Sequence, residues 1–462
     1  MAATAEKATN TAIDPLFEIR KQVSQLILHS SGSEAETRSK YEALLNSWFE
    51  NKGDSNDVIV QIGKKVYGIN SSSNDTKGKG GEKGKGEVKK EFIKFLYLEE
   101  FMRDCFVAIG TPEKEAKIAG EVLIWADRHG VDSHGIGRLV PIYMDRITAG
   151  IMKPTSEIKI IKETESTAVL DGDLGLGLYI GPYAMDMCLK KAKEVGMGMV
   201  VVRNSTHYGA AGYYVDKATE NGCIGITGTN ARPSIAPTFG IQPMLGTNPM
   251  TWGMPSDDGW PFIIDCATSV TQRGKIEKYA REGMSTPPGQ VVDRDGRVRT
   301  DTDQILKDLV TGQCSLAPLG GEGVTMGGYK GYGYATVVEL LSSALCEGNF
   351  SPDLGGVDKN TGKKKSMPLG HWFIAIDVER FLPVDRFKKH VGTFLRQMRD
   401  SEKAPNGPGR IWTAGESEHD AQVQREKMGG TMIPEALMKD MVKMREQFPV
   451  IKEKYPKFDF EK

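Results

Sequence analysis

Residues Asp171–Met185 read DGDLGLGLYIGPYAM, with glycines at 175, 177 and 181 leading into a helical run. A βαβ turn that seats a pyrophosphate on a helix spaces its glycines G-x-G-x-x-G. The second glycine lets the backbone approach the ligand and the third lets helix and strand pack closely. Here three residues separate Gly177 from Gly181, so the fingerprint is not met. A Rossmann domain is not what these glycines indicate.

Outward from this stretch run short β-rich segments, STAVLDG, GMVVVRNS, CIGITGT, PMTWGMP and PFIIDCATS, divided by turn residues and by one clear helix, YAMDMCLKKAKEVG. Upstream, Thr111–Gly130 (TPEKEAKIAGEVLIWADRHG) is a marked helix. Thr111 is placed to cap it, Pro112 suits its first turn, and Gly130 stops it. Ile118, Val122 and Trp125 recur at helical spacing and are expected to face a core. The charged, turn-rich residues 281–318 read as a long excursion. Downstream of residue 368 strand (HWFIAIDV) and helix (RFKKHVGTFLRQMRD, PEALMKDMVKMREQF) alternate. The expected class is α+β, a mixed α/β chain with a β-rich middle flanked by helices.

Composition narrows the partners. The chain has 462 residues, 39 % hydrophobic, enough for two or three domains. Sixty basic against 61 acidic residues leave a net charge of −1, which argues against nucleic acid or an anionic membrane surface. No run approaches the roughly 18 apolar residues of a membrane span. The N-terminus carries no apolar leader, so the expectation is a cytoplasmic protein. Cysteines 105, 188, 223, 266, 314 and 346 form no CxxC pair and read as reduced core residues, with no metal site. Residues 1–70 read as an N-terminal extension without assignable chemistry. Residues 71–90, rich in lysine and glycine, read as a flexible linker.

Four segments carry chemistry. In DRHGVDSHGIGRL (Asp127–Leu139), His134 is a natural proton carrier near neutral pH, the Ser133 hydroxyl can fix its tautomer, and the Arg138 fork matches a carboxylate. The competing reading is a capping loop in which Asp132 pairs Arg138. In VVVRNSTHYGAAGYYVDKA (Val200–Ala218), a strand ends near His207 and a helix starts near Gly212, where backbone amides favour an anion. The plain alternative is an ordinary strand-to-helix turn. GGYKGYG (Gly327–Gly333) is not GxxxxGK[ST], yet a lysine in a glycine turn before a helix suits a diphosphate, or is simply a turn. In PMLGTNPMTWGMP and FIIDCATSVTQRGKI, Asp265 ends an apolar strand where a carboxylate suits ribose hydroxyls. Thr247 sits in a tight turn, and Arg273, Gly274 and Lys275 bring charge to the cleft or form a solvated loop.

Together, in this order from about residue 91 to 445, these segments closely resemble the malate/L-lactate dehydrogenase family, which also holds sulfolactate, ureidoglycolate and piperideine-carboxylate oxidoreductases. The resemblance implies a non-Rossmann NAD(P)-binding domain with a mixed sheet (156–339), a mainly helical domain from both chain ends (91–155 and 340–462), and a homodimer. It implies hydride transfer between NAD, with NADP as the alternative, and a 2-hydroxy or 2-oxo acid such as malate/oxaloacetate or lactate/pyruvate. Sulfolactate and ureidoglycolate are the other substrates it allows.

Carried over, His134 gives or takes a proton with Ser133 in support, His207 is the other acid/base candidate, and Arg138 holds the carboxylate. Thr247, Arg273 and Gly274 match positions near the substrate. Tyr208, Gly209, Ala210, Ala211, Gly212, Asp265, Cys266, Ala267, Gly327, Gly328, Lys330, Gly331 and Gly333 match the cofactor lining. Lys275 stands where the imine-reducing members are acidic, which favours a hydroxy acid. The chain departs in carrying one residue more between Arg138 and Tyr143 than the common pattern, which leaves Tyr143 unassigned, and in reading PGQVV where Gly-Trp is usual. His129, at the helix's negative end, is expected to be structural. A Ser133 hydrolase fails because adjacent side chains seldom face each other and no GxSxG elbow exists. A non-catalytic dinucleotide sensor of the same fold is the remaining alternative.

Overall fold

The computed structural model describes residues 90–358 and 361–461. The extension (1–70) and the linker (71–90) fall outside it, save Lys90, which opens the first strand. That strand, β1 (Lys90–Lys94), pairs antiparallel with β11 (Gly430–Pro434), so the start of the described chain meets its C-terminal part. Helices α1 (Phe95–Ala108), α2 (Glu113–Arg128), α10 (Glu435–Gln447) and α11 (Pro449–Lys454) share one core with this pair. Phe101, Phe106, Val122, Met441 and Phe458 are buried in it.

The second layer is a seven-stranded sheet in the order β2 (Lys159–Glu163), β3 (Thr167–Asp171), β4 (Met197–Ser205), β10 (Leu369–Asp377), β5 (Cys223–Thr229), β6 (Met250–Met254), β7 (Phe262–Cys266). Only β3 and β4 run parallel; every other neighbour is antiparallel. This is the mixed sheet expected, and its pairing is not that of a doubly wound fold, whose strands are mostly parallel. Its central strand β10 comes from the 340–462 segment that the sequence grouped with the helices. Side chains alternate across the sheet. Val200, Val202 and Phe373 pack with α3 (Gly177–Val195) and α4 (Gly212–Glu220), while Val201, Trp372 and Ile226 pack with α7 (Gly328–Ser343) on the other face.

Residues 281–318 are more than an excursion. With α5 (Arg273–Glu282), the strands β8 (Val291–Asp293) and β9 (Cys314–Leu316) and the helix α6 (Thr302–Thr311) contribute to a separate small core of Ile276, Val291, Ile305 and Leu316. Helix α2 forms where expected, but Thr111 does not cap it: its hydroxyl is buried without a partner. Trp125 faces a cavity, not the core. The six cysteines are free thiols. Among the described residues no helix is long and apolar enough to cross a membrane.

Candidate active site

The glycines of the opening stretch make room for neighbouring groups. Gly175 lies against Ser156, Gly181 against the Tyr214 ring, and a Cβ on Gly177 would sit 2.2 Å from the Thr206 carbonyl oxygen. The start of α3 thus packs directly on the turn after β4, where Thr206 Oγ1 donates to the Gly175 carbonyl at 2.8 Å and accepts the Gly177 N–H at 3.0 Å. From behind, the buried His371 of β10 bonds Ser205 Oγ at 2.8 Å and the Thr206 carbonyl at 3.1 Å. These contacts fix His207.

His207 Nδ1 accepts the Gly209 N–H at 3.2 Å and lies 2.7 Å from the Tyr143 hydroxyl. A backbone N–H can only donate, so Nδ1 is unprotonated and Nε2 carries the hydrogen. Burial, then the nearby His134 and Arg138, hold His207 well below the usual histidine range, so the ring is neutral. His134 stands almost parallel to it, ring centres 5.7 Å apart and 18° between planes. Its Nδ1 is 2.9 Å from the exposed Ser133 hydroxyl, and burial with Arg138 pushes it down to about 4.

The segment leading to Tyr143 winds irregularly. Leu139–Met144 form a π-helical turn after the short 3-10 turn Ile136–Arg138. A π turn takes up one inserted residue, and such turns recur at functional sites. Tyr143 is thereby buried and pointed at His207, although the sequence left it without a role.

Arg138 is not neutralised by Asp132. That carboxylate is held by Arg425 of α9 (Glu416–Met428) at 2.6 and 3.1 Å, so the capping-loop pairing does not form. Among the described residues the Arg138 guanidinium donates to the Ser133 carbonyl. Arg146 lies within electrostatic range of both Arg138 and Arg232 and is lowered by burial and by these two, while Arg232 is lowered by burial and by Arg273. Among the described residues no carboxylate is within ion-pair distance of Arg138, Arg146 or Arg232. Arg273 has Glu277 at 2.9 Å. Sequence patterns gave no signal for Arg146 or Arg232, since neither lies in a glycine-rich or histidine-bearing motif.

The expected cofactor segments do converge. The Gly212 N–H donates to Asp265 Oδ2 at 2.7 Å, and Thr251 Oγ1 donates to Oδ1 at 2.9 Å. Burial pushes the Asp265 carboxyl up, against these two bonds. The helix start at Gly212 is thus occupied by Asp265 and is not a free anion site. Tyr208 is buried between Tyr214 and His371, with Gly209, Ala210 and Ala211 following it into α4. The Thr268 N–H bonds the Thr247 carbonyl at 2.9 Å, and the Leu319 N–H bonds the Thr268 carbonyl at 2.8 Å, which links the segment after Cys266 and Ala267 to Leu319, on which Gly331 of α7 packs. Gly328 and Gly331 press on the backbone of Gly321 and Leu319, so they serve packing. Lys330 and Gly333 are exposed, Gly327 adopts φ +83°, and Gly274 is open. His129, expected to be structural, donates from Nδ1 to the Trp125 carbonyl at 2.8 Å and stacks on Trp125, and it lines the same cavity as that indole. Gly212, Asp265, Trp125 and Trp260 line a cavity of about 580 Å³.

Residues 93–442 match the family described as malate/L-lactate dehydrogenase. The chain belongs to this family. It is 40 % identical over 347 residues to the malate dehydrogenase of Pyrococcus horikoshii, spanning 75 % of this chain and 93 % of the relative. It is 38 % identical over 307 residues to the L-sulfolactate dehydrogenase of Methanocaldococcus jannaschii, 65 % of this chain and 82 % of that one. The crystal structure of malate dehydrogenase from Entamoeba histolytica superposes with a TM-score of 0.74 at 41 % identity, covering 78 % of this chain and 98 % of that one. A member of the malate/L-lactate dehydrogenase family, the chain is a 2-hydroxy acid dehydrogenase in a family that uses NAD(P), and the sensor alternative is not favoured.

Proposed function

We propose that this dehydrogenase interconverts a dianionic 2-hydroxy acid and its 2-oxo acid, malate and oxaloacetate, with NAD. The observation that carries the reading is the cluster of Arg138, Arg146 and Arg232, without a carboxylate among the described residues to balance it. Partly desolvated like charges are unfavourable unless an anion completes them. Lactate offers one carboxylate, malate two. Sulfolactate has the same charge and is the second substrate this cluster suits, in keeping with the relative named for it.

Arg138 is placed to grip the C1 carboxylate in two parallel hydrogen bonds, and Arg146 and Arg232 the distal acid group. His207, fixed as the Nε2–H tautomer, donates a hydrogen bond to the C2 oxygen. His134 moves the proton: as its ring gives a proton to that oxygen, Nδ1 takes one from Ser133, which takes one in turn from solvent. This relay needs no imidazolium, which agrees with its depressed pKa. Nicotinamide, when bound, supplies hydride exchange at C2.

The cavity beside Asp265 fits a nucleoside: indole faces for a base and a carboxylate for ribose hydroxyls. Its further carboxylates Asp216, Glu220, Glu418 and Glu426 disfavour the 2′-phosphate of NADP. Exposed Lys330, beside the open Gly327 turn, suits the diphosphate. A homodimer accords with α7, whose Tyr334, Val337 and Leu340 are 52, 46 and 54 % exposed on an apolar helix. The test is absorbance at 340 nm with oxaloacetate, sulfopyruvate and pyruvate, each with NADH and NADPH. Oxaloacetate with NADH is expected to give the highest kcat/KM, and a preference for pyruvate would refute the dianion reading.

A further inference from the structure

The loop bearing Ser133, His134 and Arg138 contains little regular structure, so groups outside it must hold it in place. One lies beneath. Asp127, in the last turn of α2, is 2 % exposed, and its Oδ2 accepts the Ile136 N–H at 2.8 Å. Gly135 passes so close above that a Cβ there would come within 1.9 Å of Oδ1. The other lies outside. Arg425 of α9 donates to the Asp127 carbonyl oxygen at 2.5 Å and grips the Asp132 carboxylate bidentately. The loop is gripped at Asp132 and Ile136 by side chains from two helices that share no sequence neighbourhood.

We propose that Asp127 is a positioning residue for catalysis: through Ile136 it sets where His134 and Arg138 stand, and Arg425 braces the same loop from α9. This rests on the roles given above to His134 and Arg138. Neither Asp127 nor Arg425 is assigned a contact with substrate.

The charge of Asp127 reports on the arrangement. Burial pushes its carboxyl up to about 7, aided by Asp132 and opposed by the Ile136 N–H and by Arg425, the charged groups that face it. His134 and His207 both sit well below neutrality, so they do not titrate there. An ionised carboxylate accepts the Ile136 N–H more strongly than a neutral one. The KM for the 2-oxo acid should therefore fall as pH rises through 7.

The experiment uses the full chain with oxaloacetate and NADH. Asp127→Ala should raise KM about tenfold or more, with dinucleotide Kd within about twofold of wild type. Asp127→Asn, which keeps an acceptor for Ile136 but cannot titrate, should bring KM back to within about threefold and flatten its pH dependence between pH 6 and 8. Should Asp127→Ala not fold, Arg425→Gln carries the test, since it loosens the loop from the solvent side and should raise KM in the same sense. A folded Asp127→Ala or Arg425→Gln with wild-type KM overturns the proposal, as does an Asp127→Asn enzyme that keeps the wild-type pH step. Failure of the roles given to His134 and Arg138 would look different: Arg138→Lys and His134→Ala would then themselves keep wild-type KM and kcat.

Discussion

The Tyr143 hydroxyl lies 2.7 Å from Nδ1 of His207, joining the π-helical turn of the helical layer to the end of a central strand of the sheet. The proposed catalytic cluster is therefore built across two layers, and an imidazole on one is oriented by a phenol on the other. Burial keeps Tyr143 protonated, so its hydroxyl acts as donor to a nitrogen already committed as acceptor.

Tyr143→Phe removes one of the two donors on Nδ1. The ring then depends on the Gly209 N–H alone, and turnover should fall about tenfold with a stability loss of about 1 kcal/mol. Steady-state kinetics and thermal melts check this, and unchanged kcat in a folded variant would show that Tyr143 only fills space.

His134→Ala should depress kcat at least about 10²-fold while dinucleotide Kd, read by fluorescence titration, survives. His207→Ala should weaken cofactor binding along with turnover, because its ring opens the turn into Tyr208 and Gly209. If His134→Ala turns over normally and His207→Ala is inactive with intact affinity, the two roles are exchanged.

The arginines separate binding from selectivity. Arg138→Lys keeps the charge but loses the fork, so KM should rise strongly for every 2-oxo acid with cofactor affinity unchanged. Arg146→Gln should instead lower the ratio of kcat/KM for oxaloacetate over pyruvate by about tenfold, the scale of one lost ionic contact. An unchanged ratio would remove Arg146 from the substrate pocket.

Acid stability follows from histidines held neutral. Burial pushes His371 down to about 3 and His134 to about 4, with His207 also well below the usual range. In the unfolded chain these rings take up protons near 6.5, which the folded rings resist. Their stabilising contribution is complete above about 6.5 and declines as pH falls toward the folded values. Asp127 slopes the opposite way, its contribution being lost as pH rises to about 7. The three histidines should leave denaturation midpoints lower at pH 5 than at pH 7, with buried carboxyls such as Asp127 and Asp265, which burial pushes up, reducing the difference. His371→Gln should make that fall shallower, and an equal fall would mean His371 is not among its causes.

The sequence by itself determined much of this molecule, because the relevant information is local. Spacing of the glycines at 175, 177 and 181 excluded the pyrophosphate turn. Short β-rich runs such as GMVVVRNS marked strands, and Thr111–Gly130 marked a helix to within two residues at each end. Histidine, serine and arginine within one short loop pointed to proton and carboxylate chemistry. Other facts depend on residues far apart in the chain. No local pattern shows that β10 runs between β4 and β5, that Asp132 is claimed by Arg425, or that Asp265 occupies the helix start at Gly212. Arg146 and Arg232 become a pair only when their surroundings hold no compensating carboxylate. Tyr143 meets His207 because Leu139–Met144 wind as a π turn packed against the helical core, which no residue preference in the segment announces. Sequence names the groups that carry charge and protons; the tertiary fold decides which of them remain unpaired, and at a binding site those are the groups left for the ligand.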